Sequence, residues 1–218
     1  MKLHADFSQR VVVQSENLPW IGSPLPGVDR RMLERDGEEV ARATTIVRFA
    51  PNSAFAAHTH GGGEEYLVLD GVFSDKQGDF EKGMYVRNPP GSEHTPSSIE
   101  GCTILVKLRQ MDPADQAQFA IDTTSADGWV AGPRPGVDVL PLHQFETESV
   151  RMLRFAPGAR LEPHDHPGGE EIFVLEGSFE DEHGRYETGA WIRNPPGSRH
   201  EARSEEGCLL YVKTGHLG

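Results

Sequence analysis

Short runs of β-branched and aromatic residues, separated by turns rich in glycine, proline and asparagine, recur along the whole chain. In the first half they are ATTIVRFA (43–50), EYLVLDG (65–71), GMYVRN (83–88) and CTILVKL (102–108), with turn signals at SDKQG (74–78) and NPPGS (88–92). The second half repeats the order with RMLRFA, EIFVLEG, GAWIRN and CLLYVK. Runs of this length and composition predict β-strands. Several carry apolar residues on both faces, as in a sandwich or barrel whose outer surface is covered by a sister domain or a second subunit. A homodimer is the expected assembly.

The repetition extends to single residues. His58 and His164, His60 and His166, Glu64 and Glu170, Gly71 and Gly177, Gly83 and Gly189, His94 and His200, and Cys102 and Cys208 are each 106 positions apart. Upstream, Arg48-Phe-Ala-Pro51 recurs as Arg154-Phe-Ala-Pro157, whereas Pro26-Gly-Val-Asp29 recurs as Pro135-Gly-Val-Asp138 at an offset of 109. Three residues are lost in between, and the expected place is the turn ERDGEEVA (34–41) against HQFETES (143–149), because hairpin tips tolerate length changes that strands do not. The chain reads as two domains, 1–111 and 112–218, with the polar stretch DPADQAQFAIDTTSADG (112–128) as a linker without chemistry of its own.

Composition narrows the partners. The chain has 218 residues, enough for two small β domains, and its 24 Gly and 16 Pro suit many tight turns. A net charge of −13 opposes binding to nucleic acid or to an anionic membrane surface, so a small-molecule ligand or substrate is expected instead. No apolar run approaches the roughly 20 residues of a membrane span, and MKLHADFSQR lacks the apolar core of a signal peptide, which makes the cytoplasm the expected address. Cys102 and Cys208 lie in apolar runs and read as buried free thiols.

The chemistry lies in the strings HTHGGGEE (58–65) and HDHPGGEE (164–171). Alternation along a strand sends His58 and His60 to one side, and His164 and His166 likewise. The glycine turn brings the chain back so that a glutamate can approach the same point. His94 and His200 follow the two NPPGS turns, whose prolines fix the entry to a strand that can run beside the first. Three imidazoles and a carboxylate suit a divalent first-row metal with one or two positions open: zinc or iron first, manganese or nickel next. An isolated H-x-H is more often solvated than ligating, but six of the ten histidines fall at these repeated positions. Two metal sites are expected: His58, His60, Glu64 and His94; and His164, His166, Glu170 and His200. Adjacent residues face opposite ways, so only one glutamate of each pair, Glu64-Glu65 and Glu170-Glu171, can be a ligand; the other is a candidate partner for Arg87 or Arg193, with a structural ion pair the main expectation for those arginines and anion binding the lesser one. Asp165 is expected on the far side of its strand.

These residues resemble the two motifs of the cupin superfamily. The first, G-x5-H-x-H-x3-E-x6-G, is matched by Gly158, His164, His166, Glu170 and Gly177, and by His58, His60, Glu64 and Gly71 with Asn52 in place of the leading glycine. The second, G-x5-P-x-G-x2-H, is matched by Gly83, Pro89, Gly91 and His94 and by Gly189, Pro195, Gly197 and His200, with Ser98 and Ser204 where the family often has asparagine. More narrowly, the pattern is similar to the cupin-like domain of ChrR-type anti-sigma factors, a group that includes acetylacetone-cleaving dioxygenase-like cupins. The resemblance implies an all-β fold of two tandem cupin barrels, each with a metal near one mouth. ChrR proteins bind their sigma factor through a separate N-terminal helical zinc domain; here the first cupin unit begins almost at once and no Cys-x-x-Cys is present, so sigma-factor binding is not expected.

Three functions follow: a metal-binding sensor or regulatory module, a non-haem metal-dependent oxygenase acting on a small dicarbonyl-like substrate, or a bicupin that holds metal for stability. An open polar cavity above the metal favours catalysis, and closure by Tyr66, Phe173, Met84 or Trp191 favours structure or sensing. No Ser-His-Asp set, phosphate loop or dinucleotide fingerprint competes.

Overall fold

The computed structural model describes residues 1–217 and is all-β, with one 3-10 turn at Ser15–Asn17 and no helix long and apolar enough to cross a membrane among the described residues. The chain divides into two compact units, one of Met1–Ala5 with Leu18–Thr124, the other of Asp6–Asn17 with Ser125–Gly218. Each is a barrel of antiparallel strands.

In the first unit the main antiparallel sheet runs Lys2–Leu3, Val28–Gly37, Ala41–Phe49, Cys102–Leu108, Glu64–Asp75, Met84–Asn88 and Phe119–Asp122. In the second it runs Val130–Ala131, Val137–Phe145, Glu148–Phe155, Cys208–Thr214, Glu170–Asp181, Ala190–Asn194 and Val11–Gln14. The long strands Glu64–Asp75 and Glu170–Asp181 serve both walls. Their first halves pair within the main sheet, and their second halves pair with the hairpin strands Gly78–Glu81 and Gly184–Glu187. Side chains from both walls meet inside, around Tyr66, Phe73, Phe80 and Ile104 in one unit and Ile172, Phe179, Tyr186 and Leu210 in the other.

All eight apolar runs lie in strands. The missing three residues are accounted for in the expected hairpin: its two strands and tip span Val28–Phe49 in the first unit and Val137–Phe155 in the second. The stretch 112–128 does more than link. Phe119–Asp122 completes the first unit's sheet beside Met84–Asn88, and Asp115 is buried and accepts a hydrogen bond from Arg87. The first segment of the chain does the same for the second unit, where Val11–Gln14 pairs with Ala190–Asn194. The compact units are therefore interleaved in sequence.

Asn52, in place of the first motif's leading glycine, has φ +58°, and Gly158 at the matching position has φ +78°. The position demands left-handed backbone, and asparagine is among the few other residues that adopt it readily. Ser98 and Ser204 each donate to a backbone carbonyl, of Val72 and of Ser178, at 2.6 Å, tying the returning strand to the long one.

Cys102 and Cys208 are buried and unpaired, and burial pushes each thiol up to about 11. Because the thiolate is the reactive form, neither should react with a disulfide reagent at pH 8 in the native protein. Both should react at once after unfolding in guanidinium; rapid native labelling would contradict this burial.

Candidate metal centres

His58 is the direct cross-strand partner of His94, and His164 of His200. Residues directly opposite in an antiparallel pair share a face, and His60 and His166 lie two positions further along the same face. The turn that follows is built for glycine. Gly63 and Gly169 have φ of +76° and +73°, and a Cβ on Gly62 would sit 2.9 Å from the Arg109 backbone. The tight return places Glu64 and Glu170 at the head of the long strands, with their carboxylates among the imidazoles.

Ligand atoms from His58, His60, Glu64 and His94 all lie within 4.8 Å of one another, as do those from His164, His166, Glu170 and His200. Nε2 of both His60 and His94 is 3.6 Å from Glu64 Oε1; Nε2 of His166 and His200 is 3.4 and 3.3 Å from Glu170 Oε2. These separations are long for hydrogen bonds. They are close to the spacing of about 3.0–3.4 Å between neighbouring ligands that each sit about 2.1 Å from a shared metal.

The outer nitrogens fix the rings. Ser92 Oγ donates its proton to Pro89 O at 2.6 Å, so towards His60 Nδ1, at 3.0 Å, it can only accept. His166 Nδ1 meets Ser198 Oγ at 3.2 Å. His58 and His164 point Nδ1 at the carbonyls of Ala56 and Glu162, at 3.3 and 2.9 Å. His94 Nδ1 donates to Asp75 Oδ2 at 3.1 Å, and His200 Nδ1 lies 3.7 Å from Asp181 Oδ2. Holding the proton on Nδ1 leaves the Nε2 lone pair bare. Nε2 of His60 and of His166 and Oε1 of Glu64 are buried with no hydrogen-bond partner. Orphaned acceptors that converge in this way fit a divalent cation, and both clusters could hold one.

Electrostatics agree. Burial lowers the proton affinity of His60, with Glu64 opposing, and brings His166 to about 4 against the pull of Glu170. Both rings are neutral at pH 7, the form that binds metal. Burial raises Asp181, but hydrogen bonds from His200, Tyr186 and the His183 amide, with nearby Arg10, outweigh it and hold the carboxyl at about 2.

The second centre has further support. Arg10 donates to Asp181 Oδ2 and to the Tyr186 hydroxyl at 2.8 and 2.7 Å, and through Nε to Asn194 Oδ1 at 2.9 Å; Asn194 in turn donates to Glu170 Oε2 at 3.0 Å. In the first unit Gln118 occupies the corresponding place, donating to Asn88 Oδ1 at 3.1 Å. Sequence reasoning missed Ser92, Ser198, Asp75, Asp181 and Arg10. The first four were detectable, since both pairs recur at the offset of 106.

Glu65, Arg87, Glu171 and Arg193 are buried on the other face of their strands. Glu65 Oε2 accepts from the Tyr85 hydroxyl at 2.6 Å and from Arg87 at 2.9 Å. Glu171 accepts from Trp191 Nε1 at 3.3 Å, and Arg193 donates to the Asp6 carbonyl at 2.9 Å while lying 4.8 Å from the centre of the Phe7 ring. Asp165 is exposed and paired with Arg199 at 2.9 Å. Of the residues considered for closing the sites, Trp191 bonds Glu171 and Phe173 is its cross-strand neighbour, so both face away from the metal cluster. Tyr66 and Met84 pack inside the first barrel, and the buried Tyr66 hydroxyl has no protein partner.

The family model for the ChrR cupin-like domain matches residues 8–112 and again 116–218, so the chain belongs to that family as a tandem pair. No protein with a curated description matches it. Among solved structures, a candidate dioxygenase from Nostoc punctiforme PCC 73102 is similar with TM-score 0.81 and 17% identity, over 96% of this chain and 84% of that one. The protein Ylba from E. coli aligns with TM-score 0.74 and 16% identity, over 96% and 92% of the two chains. A mutant of the oxalate decarboxylase OxdC from Bacillus subtilis aligns with TM-score 0.64 and 14% identity, over 95% and 77%. At these identities the likeness is one of fold.

Replacing Ser92 or Ser198 by alanine frees the ring of His60 or His166. Each substitution should weaken metal retention at its own centre by about 10- to 100-fold, the usual cost of losing an outer-sphere partner, with little change in the other. Competition with a chromophoric chelator measures it; equal retention in the variants would show that the serines do not orient the rings.

Proposed function

We propose that this chain is a two-site metalloprotein in which each barrel holds one divalent first-row ion through three imidazoles and one carboxylate: His58, His60, Glu64 and His94 in the first, His164, His166, Glu170 and His200 in the second. The convergence of buried Nε2 atoms on a single carboxylate oxygen in each cluster, with Nε2 of His60 and of His166 lacking any hydrogen-bond partner, carries this reading. Zinc and iron suit the donor set best, and manganese and nickel are compatible with it. Such an ion supplies Lewis acidity and a template for an oxygen ligand. A metal-dependent sensing or regulatory role fits membership of the ChrR cupin-like family.

A second reading, a non-haem oxygenase working on a small oxygen-rich substrate, is favoured by access. His58 is exposed and His164 half-buried, whereas the other imidazoles are buried, so each cluster is reached from one side. Four protein ligands leave up to two positions of an octahedron for small molecules.

Elemental analysis of untagged protein should find two metal ions per chain, His60→Ala should leave one, and His60→Ala with His166→Ala none. Acidification should release the ions as the imidazoles protonate. Much less than one ion per chain after anaerobic reloading would overturn the proposal. Oxygen uptake by the iron-loaded protein, tested with diketones, small acids and thiols, separates the two readings.

A further inference from the structure

The two centres share ligands but not surroundings. Arg151 lies on the strand Glu148–Phe155, two residues before Leu153, which packs against the second barrel's core, and directly opposite Val212 within that core. Alternation therefore turns Arg151 into the barrel; the strand Cys208–Thr214 separates it from the long strand, on which Glu170 lies opposite Thr214. The guanidinium is half-buried and desolvated. Burial lowers its proton affinity, with the nearby Glu170 carboxylate opposing. Among the described residues its one hydrogen bond is a long one, from Nη2 to Thr214 Oγ1 at 3.5 Å. Most of its five N–H donors have no protein acceptor.

The first barrel carries Thr45 at this position, Leu108 in place of Thr214 and Tyr66 in place of Ile172. The charge balance differs accordingly. Glu64 and Asp75 face the first cluster and offset a divalent ion. Glu170 and Asp181 do the same at the second, but Arg10 and Arg151 add two positive charges. Glu182 also acts on His200, but it is exposed and solvent screens it. A loaded second centre would thus hold excess positive charge in a desolvated barrel, beside a guanidinium fork with free donors.

We infer that the second centre binds a small carboxylate whose anionic end is held by Arg151 while a neighbouring oxygen faces the metal position, and that the first centre does not. This rests on the metal-binding reading above and adds the ligand class to one of its two sites. A guanidinium takes a carboxylate through two parallel N–H···O bonds, a geometry lysine and threonine lack. Thr214 would set the plane of the fork.

Pyruvate and its neutral counterpart pyruvamide are the probes, titrated calorimetrically into the zinc-loaded full chain, with metal content measured on the same sample. One equivalent of pyruvate should bind per chain, and pyruvamide much more weakly. Arg151→Thr, which copies the first barrel, should weaken pyruvate by about tenfold or more, the worth of one charge-assisted contact, without loss of either metal. Arg151→Lys should recover part of the affinity, which guards against a folding defect in the threonine variant. Absence of pyruvate binding, equal affinity in wild type and Arg151→Thr, or equal binding of pyruvamide would overturn the inference. If wild type holds no metal, the metal reading fails by itself; the same titration on that protein then retains the anion site if affinity depends on Arg151 and rejects it otherwise.

Discussion

Everything at these centres depends on keeping bare nitrogen lone pairs close together in a place where water cannot satisfy them. Unpaired buried acceptors are costly, commonly about 1–3 kcal/mol each, so a fold gathers them only where a cation offsets the cost or surrounding bonds enforce it. The barrels enforce it in two ways. The antiparallel register puts His58 against His94 and His164 against His200, so neither pair can separate without breaking its ladder. The outer hydrogen bonds of His58, His60, His94, His164 and His166 then deny those rings their other orientation. A serine whose own proton is committed to a proline carbonyl is well suited to this, because it can only accept from the histidine.

Much of this was legible in the sequence. Period-two alternation and the duplicated H-x-H string define the strands and their inward faces, and adjacency on a strand separates Glu64 from Glu65, which the structure places with Tyr85 and Arg87. The edge strands were less readable. Val11–Gln14 and Phe119–Asp122 are four residues each, and the second lies in a polar stretch whose composition resembles a linker. What makes them strands is the open edge at Ala190–Asn194 and Met84–Asn88, a long-range fact that no local pattern contains. Arg10 was invisible for the same reason: its value lies in reaching Asp181 and Asn194, more than 170 positions away.

Duplication also explains what could be inferred and what could not. Residues kept in both copies report the shared requirement, which is why Ser92 with Ser198 and Asp75 with Asp181 emerge as supports once the offset is applied beyond the ligands. Residues that differ report what each copy does alone, and reasoning from the repeat discards them by construction. Arg151 against Thr45 and Thr214 against Leu108 were passed over for that reason, although each substitution changes the polarity of the barrel interior.

The contrast has a direct physical consequence. In an interior of low effective dielectric, one added guanidinium alters the local potential more than any rearrangement of the same four ligands could, because ligand identity sets the ion's affinity while the unbalanced charge sets what else may enter. A barrel lined by Tyr66, Leu108 and Thr45 offers a neutral guest two hydroxyls and an apolar wall. A barrel lined by Arg151 and Thr214 would, on the inference above, disfavour further cations and favour an anion. On the proposed reading, the two copies would hold their ions through the same four ligand types and still answer to different small molecules, so that duplication would give two specificities from one chelating scaffold.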